Sequence, residues 1–120
     1  MKNLKLLGHK SQFTLSESIK IYVPSTTDTD KKIDNESFVR DTETKLSKLF
    51  GGSTTSNGIG CWVSDSVGLV RESVKIVQSF TSVEGLEKHI SEVIEICESL
   101  KRDMIQEGIS LEIKDKFYVI

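Results

Sequence analysis

The stretch GGSTTSNGIGCWVSDSVGLVRESVKIVQSF, Gly51 to Phe80, constrains this chain more than any other. In its second half Val70, Glu72, Val74, Ile76 and Phe80 alternate with Leu69, Arg71, Ser73, Lys75 and Val77, and a period of two belongs to a strand. With Ser64-Asp65-Ser66 as a turn, the run reads as one long β-hairpin. A turn spanning Ser64 to Gly68 sets Trp62 opposite Val70 and Gly60 near Glu72. One hairpin face therefore carries a carboxylate among aliphatic side chains, with the chain's single tryptophan close by.

The remaining elements arrange themselves around this hairpin. Asn3 to Leu7 reads as a short strand, and Phe13 to Val23 supplies one or two more, ended by the only proline, Pro24. The polar run from Ser25 to Lys32 reads as an exposed loop. Asp34 or Asn35 caps a helix over residues 35 to 50, in which Phe38, Val39, Thr42, Leu46, Leu49 and Phe50 recur at helical spacing, and Gly51-Gly52 closes it.

After the hairpin, Thr81 and Glu84 have the spacing of a capping box. The stripe Val83, Leu86, Ile90, Val93, Ile94, Cys97, Leu100, Met104 and Ile105 then runs on toward Gly108. A helix of about 25 residues is roughly 37 Å long, about twice a typical strand. Its distal part, Leu100 to Ile105, is accordingly expected to pack on another subunit, with cover by the N-terminal strands as the alternative. Ile109 to Ile113 and Phe117 to Ile120 close the chain as strand. The order is that of an α+β, ferredoxin-like β-α-β-β-α-β antiparallel sheet, with two helices on one face and an extra N-terminal strand or hairpin.

The chain has 120 residues, enough for a single domain over residues 1-120. A net charge of -2 gives no basic surface for coating a nucleic acid polymer or for drawing the protein to a membrane. His9, Lys10 and Ser11 break the first apolar run before it reaches signal-peptide length, and no segment approaches a membrane span. A cytoplasmic protein is expected. Cys61 and Cys97 are the only cysteines, and both read as reduced, buried thiols.

No catalytic constellation, metal site or cofactor motif emerges. His9 and His89 have no nucleophile in a recognisable context, and the glycine-rich run lacks the GK[ST] ending of a phosphate loop. Glu72 needs a partner if buried, and Arg71 points to the opposite face. Trp62 is either core or a stacking platform for a base. Arg71, Lys75 and Arg102 are the candidate phosphate contacts, because a guanidinium fork holds phosphate by two hydrogen bonds. The candidate ligand-binding residues are thus Trp62, Arg71, Glu72, Lys75 and Arg102.

The hairpin with its GxGxW and RES textures, the preceding KLFGG helix end and the long capped helix together resemble the first Thoeris anti-defence family of phage and prophage proteins. The resemblance spans about Ile19 to Met104. It implies a non-catalytic sponge that sequesters the cyclic ADP-ribose isomer made by TIR-domain immune proteins. Members of that family are oligomers with pockets at subunit junctions, which implies a homodimer or higher homo-oligomer here and a small, cyclic nucleotide-like ligand. No pocket residue is carried over from it. The sequence thus leads to a binding protein that is not an enzyme. The alternatives are a small ferredoxin-like enzyme using Glu72 as general base, or a ligand-free structural dimer.

Overall fold

The computed structural model describes residues 6–27 and 31–120. Strand β1 (Glu17–Pro24) alternates strictly, turning Ile19, Ile21 and Val23 into the core and Lys20, Tyr22 and Pro24 to the other side. Where an exposed loop was expected, Thr26–Thr27 (β2) pairs with Lys31–Lys32 (β3) in a small ribbon, and Thr26 is buried. Lys31 and Lys32 are exposed as expected, whereas the Thr26 and Thr27 hydroxyls find partners inside the fold.

Helix α1 (Glu36–Phe50) follows the expected limits. Asn35 stands at the cap position, but its side chain donates instead to the Pro24 carbonyl at 2.8 Å, tying the helix start to the end of β1. Asp34 accepts from the Glu36 amide. Gly51 ends the helix in the left-handed region, φ 91°, with its N–H on the Ser47 carbonyl. A residue with a Cβ is strained there.

The hairpin consists of β4 (Thr54–Ser64) and β5 (Gly68–Thr81), with Trp62 opposite Val70 and Gly60 opposite Glu72. Helix α2 (Val83–Asp103) is capped by Ser82, whose hydroxyl accepts from the Gly85 amide, and not by the expected Thr81. Strands β6 (Ser110–Ile113) and β7 (Lys116–Val119) complete a five-stranded antiparallel sheet in the order β4-β5-β1-β6-β7.

The first four strands in that order have the ferredoxin-like arrangement, both helices pack on one face, and the fold class is α+β as expected. The additional sheet strand is β7, at the C-terminal edge. Residues 3 to 5 of the expected first strand lie outside the described residues, and Leu7-Gly8 form a turn.

The core joins Ile19, Ile21, Val23, Val77 and Leu111 of the sheet to Val39, Leu46, Val93, Ile96, Cys97 and Leu100 of the helices. The far end of α2 belongs to it: Leu100 is 4% exposed and Met104 fully buried. Its 21 residues span about 31 Å, so the helix is shorter than its apolar stripe suggested. The apolar stripe at Leu100 to Ile105 therefore calls for no partner subunit, since Ile105 is its one exposed apolar residue.

The hairpin is one of the places where apolar side chains are exposed. Pairing of β1 with β5 stops at Pro24 opposite Val74, whereas β4 and β5 stay paired out to Ser64 and Gly68. That two-stranded arm carries Ile59, Trp62, Val63, Val67 and Leu69 into solvent. The radius of gyration is 16.2 Å, against about 13.6 Å for a compact chain of this length.

Candidate functional site

Glu72 stands at a step in the sheet. Two residues beyond Val74, it has Gly60 on one side and no β1 residue on the other, because β1 has already ended at Pro24. A missing strand beside a glycine leaves a notch, and the chain lines it from several directions.

One hollow of about 180 Å³ is bounded by Tyr22, Pro24, Gly60, Trp62, Glu72 and Val74 of the sheet, together with Gln106, Gly108, Ile109 and Ser110 from the turn after α2. Across Trp62 and Glu72 lies a second hollow of about 440 Å³, bounded also by Ser25, Thr26, Lys32, Ile33, Val70, Arg71 and Ser73. The larger lies within the range of small-molecule sites, which is roughly 300–1,000 Å³. Trp62 and Glu72 form the ridge between the two.

Glu72 is half-buried, and its partner is the Thr26 hydroxyl, which donates to Oε1 at 3.3 Å. Thr26 is held in turn by Gln106, whose Nε2 donates to the Thr26 carbonyl at 2.9 Å and approaches its hydroxyl oxygen at 3.4 Å. The Thr27 hydroxyl donates to the Met104 carbonyl at 3.0 Å. These bonds clamp the ribbon onto the end of α2 and fix one side of the notch.

Helix α2 ends in a Schellman-type turn, with the Gln106 amide on the Lys101 carbonyl and Ile105 in the left-handed position at φ 52°. Gly108, expected to end the helix, comes three residues later and packs against Val119.

Farther along the same sheet face, the Tyr22 hydroxyl donates to Glu112 at 2.8 Å, Lys20 reaches the other carboxylate oxygen at 3.8 Å, and Phe117 meets the Tyr22 ring edge-on. Burial pushes the Tyr22 phenol above its ordinary value, and the hydrogen bond to Glu112 and that carboxylate's charge push it further in the same direction.

The structure thus brings Trp62, Arg71 and Glu72 together and leaves the other two candidates elsewhere. Lys75 bonds Asn57 and lines a separate hollow with Asn35 and Gly58. Arg102 lies exposed on α2, bonded to Ser99 and paired with Asp103. Trp62 is 47% exposed and is no core residue; Cys61 is exposed, against expectation, and Cys97 is buried as expected.

Thr26, Gln106 and Tyr22 were missed. For Tyr22 the signal was present, since the alternation of β1 already assigns it to the face that bears Glu72. Two further hollows, one between the helices beside Lys45 and Glu92 and one beside Phe13 and Phe80, do not contain this combination of indole, carboxylate and buried hydroxyl. Among the described residues no cluster of histidine, cysteine and carboxylate suits a metal ion, and no helix is long and apolar enough to cross a membrane.

No protein-family model matches the chain, and no curated protein matches it in sequence. Two solved structures share its fold over nearly the whole length. A phage SAM lyase in complex with S-methyl-5'-thioadenosine aligns at a TM-score of 0.66 with 21% identity, covering 92% of this chain and 95% of that one. A phage SAM lyase in the apo state aligns at a TM-score of 0.67 with 20% identity, covering 93% and 94%.

Both neighbours are phage proteins, and the first binds a small nucleoside thioether. Likeness at this identity establishes a shared fold. It also overturns the expectation that the chain is not an enzyme, because that expectation rested on fold texture and a lacking catalytic motif, and the proteins sharing this fold are lyases.

Proposed function

We infer that this chain is a lyase that cleaves S-adenosylmethionine and releases S-methyl-5'-thioadenosine. The observation that carries the reading is the pairing of the Glu72 carboxylate with the Trp62 indole across one notch, in a fold shared with a SAM lyase that holds that product. An indole offers an adenine a stacking surface, and a carboxylate attracts a sulfonium or ammonium cation.

The substrate contains its own leaving group. Breaking the bond between sulfur and the γ-carbon of the amino acid chain sends the electron pair to the positively charged sulfur, which leaves as a neutral thioether still bearing its methyl and adenosyl groups. The substrate's carboxylate supplies the new bond, attacking the γ-carbon to close a five-membered lactone. Atoms and charge balance without water, metal or redox cofactor.

Holding two groups of one molecule in line is a positioning task, for which intramolecular reactions show large rate advantages. Glu72, accepting a hydrogen bond and lining both hollows, fits the role of an anion that fixes the substrate's cationic groups. The alternative use as general base would remove a β-proton, which a carboxylate is poorly suited to take, and would give an unsaturated amino acid in place of the lactone. A phage making such an enzyme would deplete the methyl donor of its host and so act against methyl-dependent defence.

The test is incubation of the purified chain with S-adenosylmethionine, followed by chromatography and mass analysis of both fragments. The expected products are methylthioadenosine and homoserine lactone. 2-Aminobut-3-enoate in place of the lactone would assign Glu72 the base role. Intact substrate would overturn the lyase reading, and depletion of a cyclic ADP-ribose isomer with its intact release on heating would then identify a sponge.

A further inference from the structure

The geometry points to Gln106 as a positioning residue that sets the orientation of the Glu72 carboxylate through the Thr26 hydroxyl; this inference rests on the lyase reading of the notch. The hydrogen-bond directions are mutually compatible. An amide nitrogen only donates, so Gln106 Nε2 occupies the accepting side of Thr26, at 2.9 Å from the carbonyl and 3.4 Å from the hydroxyl oxygen. The hydroxyl hydrogen is left to point at Glu72 Oε1, 3.3 Å away. Engaging one lone pair removes one of the hydroxyl's staggered positions and favours donation toward Glu72, while the same amide also lies 3.4 Å from the Met104 carbonyl.

The placement of Gln106 is itself constrained. It follows Ile105, a β-branched residue in the left-handed region, and its own amide closes the helix end on Lys101. Such a conformation persists where surrounding contacts over-determine it, and strained residues of this kind cluster at functional sites. The same turn continues through Gly108, Ile109 and Ser110, which line the hollow on the Glu72 side. The end of α2 thereby supplies both a wall of the notch and, by way of Thr26, the support for its carboxylate. Small displacements of a positioned group cost large factors in rate, on the order of 100-fold for 1 Å.

The experiment is steady-state release of methylthioadenosine from S-adenosylmethionine by the full chain and its Gln106→Ala, Thr26→Val, Thr26→Ser and double Gln106→Ala/Thr26→Val variants, with thermal melting of each. The expected result is a fall in kcat of about tenfold or more for Gln106→Ala and for Thr26→Val, with KM within about twofold. Thr26→Ser, which keeps the hydroxyl, should lose less than Thr26→Val. The double variant should be no slower than Thr26→Val alone, because Gln106 acts through the hydroxyl already removed.

An additive double variant, unchanged kcat in Gln106→Ala, or a melting loss with turnover preserved would overturn the positioning role while leaving the lyase reading in place. A wild-type chain that releases no methylthioadenosine would overturn both. If Gln106→Ala fails to fold, Gln106→Glu reads the same bond, since a carboxylate at that position cannot donate; it should also lose at least tenfold in kcat, and full activity would overturn the role.

Discussion

Gly60 lies directly opposite Glu72 in the β4–β5 ladder, at a level where β1, on the other edge of β5, has already ended. A Cβ built on Gly60 comes no closer than 3.7 Å to the Glu72 carbonyl oxygen and 4.0 Å to Val74. The position is therefore open rather than sterically forced, and the space above it is part of the hollow. Gly60→Ala should fold and melt close to the wild type, whereas Gly60→Val projects two further methyls into the notch. For the valine variant we expect KM for S-adenosylmethionine to rise by about tenfold or more, equivalent to about 1.4 kcal/mol of lost binding. A valine variant with unchanged kinetics would place the substrate elsewhere.

Trp62, half-exposed on the arm opposite Val70, packs too little to hold the fold together. Trp62→Ala should leave the melting temperature within a few degrees and weaken methylthioadenosine binding by roughly 1 to 3 kcal/mol, the range for base–aromatic stacking. Calorimetric titration measures it. Wild-type affinity in the alanine variant would remove the stacking role.

The sequence revealed this hairpin because its signals are local. Period two, the Ser64-Asp65-Ser66 turn and the glycine at residue 60 all lie within one segment, so the ladder from Thr54 to Thr81 and the approach of Gly60 to Glu72 could be read directly. Thr26 could not. Its burial depends on Gln106, 80 residues away in the chain, and a threonine in STTDTDKK carries no local mark of that contact. The end of α2 misled for a related reason. Ile105 occupies a position that normally calls for glycine, so the stripe seemed to run on to Gly108, and the lengthened helix in turn suggested a partner subunit. Lys75 shares a strand face with Arg71, and Arg102 sits on the distal half of the long helix where a partner was expected, but their neighbours Asn57, Ser99 and Asp103 engage them away from the notch.

Ile105 provides a stability test. Its φ of 52° costs a branched residue about 1–2 kcal/mol, and with 59% exposure it returns little by burial. Ile105→Gly relieves the strain and adds back some unfolded-state entropy, so we expect a net gain of about 1 kcal/mol in urea unfolding. A loss of stability would show that the isoleucine side chain contributes packing that outweighs its strain.

Alkaline pH should weaken the fold. Burial pushes the Cys97 thiol up to about 12, with the charge of Glu98 adding to the shift, and Tyr22 is raised for the reasons given above. Both groups hold their protons more tightly folded than unfolded, so their contributions are fully present below the unfolded values near 9 and 10 and are lost as pH rises through the folded ones. Unfolding free energy should therefore fall between about pH 9 and 12, with a shallower slope in Cys97→Ala. An identical slope in that variant would remove Cys97 from the explanation.

The lyase chemistry is tested most directly by mixing the purified chain with S-adenosylmethionine and sampling over time, alongside Glu72→Gln. We expect methylthioadenosine to appear in step with substrate loss, and the glutamine variant, which keeps the shape but not the charge, to be slower by about 100-fold while still melting as a folded protein. Substrate recovered intact from the wild-type chain would rule out the lyase activity, and a Glu72→Gln variant that turns over at the wild-type rate would rule out the role of the carboxylate.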